Sequence, residues 1–286
     1  MAEEEINGSG VPGDSPTEGT EAAQPAAPAP PPSFDDEPEG PSGIGAFLGP
    51  TINAVVAPAK CWEALDAKPK LAIWIYVWVA LVSTALAIWN LPITRQATIA
   101  MMTYQQRAQG QEMGPEDLDR LTSIMGTTMS LVAYIGTSVL ILVMILFLAL
   151  LMWLGASVLG GSGKFSRSFG LAAAGAVIHP VMYSIYASII IHMNPPEIRR
   201  PQDMIMMTPT VGLDLLFGNA DMPIWLMTLL TKIDLFNLWW VVLVAGGAQV
   251  LLRLKKGPAV TMAVGIWVLT TVISILMAMV QALSSG

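Results

Sequence analysis

The chain has 286 residues, of which 53% are hydrophobic and only 12% charged, with a formal net charge of −7 and a mean hydropathy of +0.59. Soluble domains carry about a quarter charged residues, so an ordinary soluble domain is excluded. The acidity is local: the first 40 residues hold ten of the 21 acidic residues and no Lys or Arg, and the other 246 carry all 14 basic residues and a net charge of +3. The pI near 4.8 therefore describes a tail and points to no acidic partner. No basic domain is present, which argues against a nucleic-acid partner. A single cysteine, Cys61, rules out an intrachain disulfide and a Cys-based metal cluster.

Residues 1–43 are rich in Pro, Ala, Gly, Ser and acid, including Ala29-Pro30-Pro31-Pro32. Such a stretch buries too little apolar surface to offset the entropy of ordering it, so a disordered cytoplasmic tail is expected, either a solvated leader or a partner-binding segment. The Met1-Ala2-Glu3-Glu4-Glu5 start has no basic region and no early apolar run. The first apolar segment, after about 70 residues, is accordingly expected to serve as an uncleaved signal anchor.

Between residues 44 and 70, Val55, Val56, Ala59, Trp62 and Leu65 recur at helical spacing, with Pro58 suited to a first turn and Lys60, Lys68 and Lys70 nearby. The pattern predicts a short amphipathic helix on the membrane surface with Trp62 as its interfacial anchor. Cys61 beside it reads as a plain interfacial thiol, with palmitoylation as the sharper alternative.

Five apolar segments follow, at about 71–91, 131–154, 169–191, 235–252 and 259–281. None of their 109 residues is Asp, Glu, Lys or Arg, where the chain average would put about 13. A buried soluble helix of that length would show a charged outer face. At about 1.5 Å per residue these lengths suit a hydrocarbon core of about 30 Å. The expected fold is an all-α integral membrane protein, a bundle of five transmembrane helices over residues 44–286. The short loops 155–168 and 253–258 hold five basic residues in 20 positions, and the long loops 92–130 and 192–234 hold six in 82. Short basic loops stay in the cytoplasm, which puts the N-terminus inside and the C-terminus outside.

In the first long loop, Gly114-Pro115-Glu116-Asp117 is a helix start, followed by an apolar stripe of Leu118, Leu121, Ile124 and Met125. In the second, Met222-Pro223-Ile224-Trp225-Leu226-Met227 is too short to span and is expected to rest on the interface.

Little in the sequence suggests enzymatic chemistry. His179 and His192 flank no carboxylate at ligand spacing, and neither H-E-x-x-H nor G-x-S-x-G occurs. Gly163-Lys164 looks like the end of a phosphate loop, yet Val158 and Phe165 stand where Gly and Ser/Thr are required, so a glycine-flexed turn fits better. No cofactor and no metal site is expected. His179-Pro180 falls in the middle of the third span. A polar residue there is either a proton or ligand site at a hinge, or a neutral His bonded to a carbonyl freed by the proline. Gly170, Ala172, Ala174, Gly175 and Ala176, with Gly246-Gly247, are small-residue sites for close helix packing, within the bundle or in a homo-oligomer. Asp234 is placed to cap the fourth span.

Three stretches together resemble the Yip-domain family of five-span membrane proteins, especially its prokaryotic branch. They are Ala57-Pro58-Ala59-Lys60-Cys61-Trp62-Glu63-Ala64-Leu65 through Lys68-Pro69-Lys70; Met113-Gly114-Pro115-Glu116-Asp117-Leu118; and Ile233-Asp234-Leu235-Phe236-Asn237-Leu238-Trp239, followed by Gly246-Gly247, Lys255-Lys256-Gly257-Pro258-Ala259 and Trp267. With the Phe165–Phe169 turn they cover about residues 50–283. The resemblance implies five spans, a cytoplasmic N-terminus, a prokaryotic plasma membrane and no enzymatic activity. Eukaryotic members of the family are associated with Rab-type GTPases, but this chain lacks their Asp-Leu-Tyr-Gly-Pro stretch, which counts against a GTPase partner. The expectation is a non-enzymatic membrane protein working through contacts with lipid, other membrane proteins or its own copies. The alternative is a small transporter or channel component with a polar site near His179.

Overall fold

The structure is a computed structural model, and it describes residues 44–108, 114–194, 211–217 and 222–284. The expected disordered tail lies outside the described residues. Apart from an isolated antiparallel bridge between Gly212 and Asp234, every regular element among the described residues is helical.

The chain opens with α1 (Ile44–Val56) and α2 (Pro58–Ala67), separated at Ala57. Pro58 takes the first helical turn, where its missing N–H costs nothing. Next come α3 (Leu71–Ala108) and α4 (Pro115–Leu131), which starts on the expected proline. A π-helical segment, Val132–Gly136, joins α4 to α5 (Thr137–Val158). The third apolar stretch forms α6 (Phe165–Ala176), a second π segment (Val177–Tyr183) and α7 (Ser184–Met193). Beyond a short 3-10 turn at Leu213–Leu216 lie α8 (Ile224–Lys232), α9 (Leu235–Leu251) and α10 (Lys256–Ser284).

Four helical stretches are long and apolar enough to cross a membrane: Leu71–Tyr104, Ala133–Val158, Phe165–Met193 and Lys256–Val280. Leu235–Leu251 is apolar but shorter, at 17 residues. α5 shows why the solvent must be lipid. Ile141, Ile145, Ala149, Met152 and Ala156 form a buried stripe, while the opposite face exposes Leu140, Val143, Phe147, Leu150 and Leu154. A helix apolar all round belongs in a protein core or in a bilayer, and this one has only one face covered by protein.

Two expectations are corrected. The first span does not give way to a loop at residue 91: α3 runs 38 residues through Pro92 to Ala108, about 57 Å at 1.5 Å per residue and well beyond a core of about 30 Å. Its far half pairs with α4, where Arg95 donates to the carbonyl of Thr122 at 2.6 Å. The helix expected across residues 55–65 is split at Ala57, and the face of its second half that carries Trp62 is covered by protein. Asp66 meets Arg253 at 2.6 Å, just past the end of α9, and Trp62 lies against Gly246 and Gly247. The inward face of α2 thus meets both the last turns of α9 and the turn that follows it, and the two helices pack against each other. α1 folds back along α2 and reaches the π segment at Val177–Tyr183.

The core gathers around this hairpin. Leu65 and Ala72 both pack against Gly170, and Trp240 packs against Gly175. Residues 171–176 of α6 are all buried, which places the small-residue stripe inside the chain's own bundle, as close backbone approach requires.

Candidate functional site

The end of the bundle that carries the two short loops is built by three elements. α2 presents Asp66, the first turn of α6 presents Arg167, and the turn after α9 presents Arg253. Arg167 Nη2 is 2.9 Å from Asp66 Oδ1, and Arg253 Nη2 donates to Oδ2 at 2.6 Å. The carboxylate is thus shared between two guanidiniums, with side-chain exposures of 23% for Asp66, 27% for Arg167 and 50% for Arg253. Lys60, Lys68, Lys70, Lys164, Lys255 and Lys256 are exposed on these same elements and the turns that join them. Arg253 sits at φ 56°, in the left-handed region that favours glycine. The turn is fixed by the Leu254 N–H, which donates to the Ala248 carbonyl at 3.3 Å, and by the Ser162 N–H, which reaches the Leu252 carbonyl at 3.0 Å. Gly160, at φ 78°, bends the loop that makes the second bond possible.

Directly beneath this cluster sits Trp62. It is 3% exposed and lies against Gly246 and Gly247, and is therefore a core residue covered by protein and not a ring open to an interface. Cys61 is fully buried, and burial pushes its thiol up to about 12 from an ordinary value of 9.0. A neutral, enclosed thiol is neither a nucleophile nor an acylation site in this conformation.

The remaining sequence candidates meet toward the other end. Pro180 has no N–H to give to the preceding turn, and the helix passes it as the π segment Val177–Tyr183, a local widening often found at functional sites. His179 is half-buried and stacks on Tyr183 at 5.1 Å, and Tyr183 meets the ring of Phe236 edge-on at 5.8 Å. Lys232 and Asp234 lie within electrostatic reach of the imidazole. Asp234, 5% exposed, caps α9 as expected: its carboxylate accepts from the Asn237 backbone N–H at 2.7 Å and from Asn237 Nδ2 at 2.6 Å. His179, Pro180 and Asp234 therefore belong to one neighbourhood, and Trp62 belongs to another.

Further polar links tie α3 to the second and third spans. Thr84 and Ser138 hydroxyls are 3.0 Å apart, Asn90 Nδ2 donates to Ser188 Oγ at 2.7 Å, and His192 stacks on Trp89 at 4.4 Å. Such bonds are worth a kilocalorie or so each and serve association of the helices. Among the described residues no group of three or more His, Cys, Asp or Glu is placed to hold a metal ion.

Sequence reasoning missed the ion cluster. A signal was present: Asp66 follows Trp62 by four residues and so shares its helical face, the face otherwise given to Cys61, Trp62 and Leu65. An acid on the inward face of an amphipathic helix calls for a basic partner.

The family model described as the Yip1 domain matches residues 52–278. No curated protein and no solved structure matches the chain.

Proposed function

The chain belongs to the Yip1 domain family, and on that premise we propose that it is a non-enzymatic, five-span protein of a prokaryotic plasma membrane that acts through protein or lipid contacts. The observation that carries this reading is the convergence of α2 and both short basic loops on one face, held by Asp66, Arg167 and Arg253. Leu235–Leu251 is taken as the fifth span. At 17 residues it covers about 26 Å, and Lys232 and Asp234 before it and Arg253 and Lys255 after it supply polar ends within interfacial reach. The density of basic residues at the Asp66 end supports a cytoplasmic face there, with the N-terminus on the same side and, for five spans, the C-terminus outside.

Two experiments test it. Reporter fusions after residue 160 and at the C-terminus should sit on opposite sides, and finding both on one side removes the Leu235–Leu251 span. Crosslinking with mass spectrometry in native membranes should recover partners, other copies of the chain included, on α2 and the two short loops. Crosslinks confined to the opposite end would remove the contact reading.

A second reading, a small transporter, is favoured by the π segment at His179-Pro180 with Lys232 and Asp234 in reach. If vesicles reconstituted with the protein show transport that is lost in folded His179→Ala, this second reading replaces the first.

A further inference from the structure

We propose that Asp66, Arg167 and Arg253 form a binding site for the phosphate of an anionic phospholipid in the leaflet that holds the two short loops. The inference rests on the reading above, that the protein works through contacts in the membrane, and it names the ligand class and its residues.

Asp66 alone does not balance this cluster. Two guanidiniums meet one carboxylate, which leaves a surplus of one positive charge. A guanidinium has five N–H donors in a fixed fork, and each arginine places one nitrogen on Asp66. Half of the Arg253 side chain is open. Asp66 therefore acts as a spacer that presents the two forks side by side, the arrangement suited to a tetrahedral phosphate.

The backbone points the same way. α3, α6 and α10 all start at this end, and none carries an acid in its first turn. The N-termini of helices favour negative charge, normally a side chain of the helix itself. Here that charge is left to come from outside, and the side chains nearest the starts of α6 and α10 are instead Lys164, Lys255 and Lys256. Arg253 holds a left-handed φ that glycine would accept without strain. An outlier kept at a conformational cost is an observation from which a role for the side chain can be inferred.

The level in the membrane selects a lipid as the source of the phosphate. The cluster lies where α9 ends and where α6 and α10 begin, the depth of the headgroups. At this same end Phe165, in the first turn of α6, and Val260, near the start of α10, expose apolar side chains, suited to the first carbons of acyl chains. Basic pockets between spans on the cytoplasmic side have this chemistry.

The test uses the full-length chain in a neutral detergent, titrated with phosphatidylglycerol or phosphatidylcholine and read by native mass spectrometry and by the thermal midpoint. Phosphatidylglycerol should be retained and should raise the midpoint, and phosphatidylcholine should do neither. Arg253→Gly, which its backbone conformation favours, should bind at least about ten-fold more weakly. Arg167→Lys keeps the charge, loses the fork and should fall between; it serves if Arg253→Gly cannot be purified. Asp66→Asn raises the positive charge but frees both forks. A built site predicts weaker binding in it, and a generic charge effect predicts tighter binding, which would overturn the proposal. Inorganic phosphate giving the same midpoint shift as the lipid would overturn the lipid assignment. Equal retention of phosphatidylglycerol by wild type and Arg253→Gly would remove this site and leave the wider contact reading standing. No retention by wild type would also remove the site, and the crosslinking experiment then decides the wider reading separately.

Discussion

Replacing Gly247 with alanine puts a methyl group where the structure has no room for one. The new Cβ would overlap Leu171 Cδ1 and stand 3.0–3.1 Å from the Trp62 ring. Gly246, its neighbour on the same helix, is the natural control, because its Cβ would meet only Trp62 Nε1 at an ordinary 3.7 Å. Both changes gain the helix propensity of alanine over glycine, about 1 kcal/mol. Only Gly247→Ala incurs overpacking, typically about 1–3 kcal/mol in a filled core. Leu171 is fully buried and Trp62 nearly so, so neither has solvent to move into. Gly246→Ala should therefore be stabilising by up to about 1 kcal/mol, and Gly247→Ala should range from neutral to destabilising by about 2 kcal/mol. For a domain of this size 1 kcal/mol moves a midpoint by about 2–4 °C, so the variants should separate by about 2–12 °C. The assay is thermal unfolding of both proteins in the same detergent at one heating rate, because apparent midpoints of irreversible transitions depend on the rate. Adding Leu171→Val to Gly247→Ala should recover part of the loss, and the coupling follows from the double-mutant cycle. Equal midpoints, or a more stable Gly247→Ala, would refute the close packing of α2 on α9.

Cys61 should resist maleimide at pH 8 in detergent and react fully once the protein is denatured; equal rates would mean that the hairpin is not seated. Its thiol is raised from 9.0 to about 12 on folding. The folded state thus keeps a proton that the unfolded chain has lost, and this group should leave stability unchanged below about pH 9 and lower it progressively toward pH 12; Cys61→Ser should flatten that decline. Asp234→Ala removes both bonds to Asn237 and should cost about 1 kcal/mol, with Asp234→Ser retaining most of the cap, as read from thermal midpoints. Asp66→Ala leaves two partly buried guanidiniums facing each other. It should cost about 1–2 kcal/mol, between the ranges for exposed and buried pairs, and the loss should shrink in high salt.

The four helices long and apolar enough to cross a membrane could be located from the sequence, their starts to within a few residues, because lipid imposes a requirement visible in one dimension, an uncharged stretch of sufficient length. The start of α4 was legible for a similar reason, since Gly114-Pro115-Glu116-Asp117 is a helix-start signal carried by neighbouring residues alone. The cap at Asp234 was read in the same way. The reach of α3 to Ala108 was not, because Thr94, Arg95 and Gln96 are polar enough to read as loop, while a helix outside the membrane tolerates them. The place of Trp62 was missed because periodicity marks which face of a helix is apolar and says nothing of what covers it. Its cover is the Gly246-Gly247 pair, more than 180 residues away, and that pairing becomes visible only when α9 is set beside α2. The ion cluster failed for the same reason, since Asp66 and Arg253 are separated by 187 positions.

That separation has a consequence in time. A ribosome adding about 5–20 residues per second reaches Arg253 some 9–37 seconds after Asp66, given the 187 positions between them. Throughout that interval Trp62 has no α9 to cover it, and the lysines around α2 are among the few basic residues the growing chain has displayed. The hairpin is therefore among the last parts of the bundle to settle, although among the first to be made. A chain halted before Leu235 should expose Cys61 to labelling, and one that has passed Arg253 should conceal it.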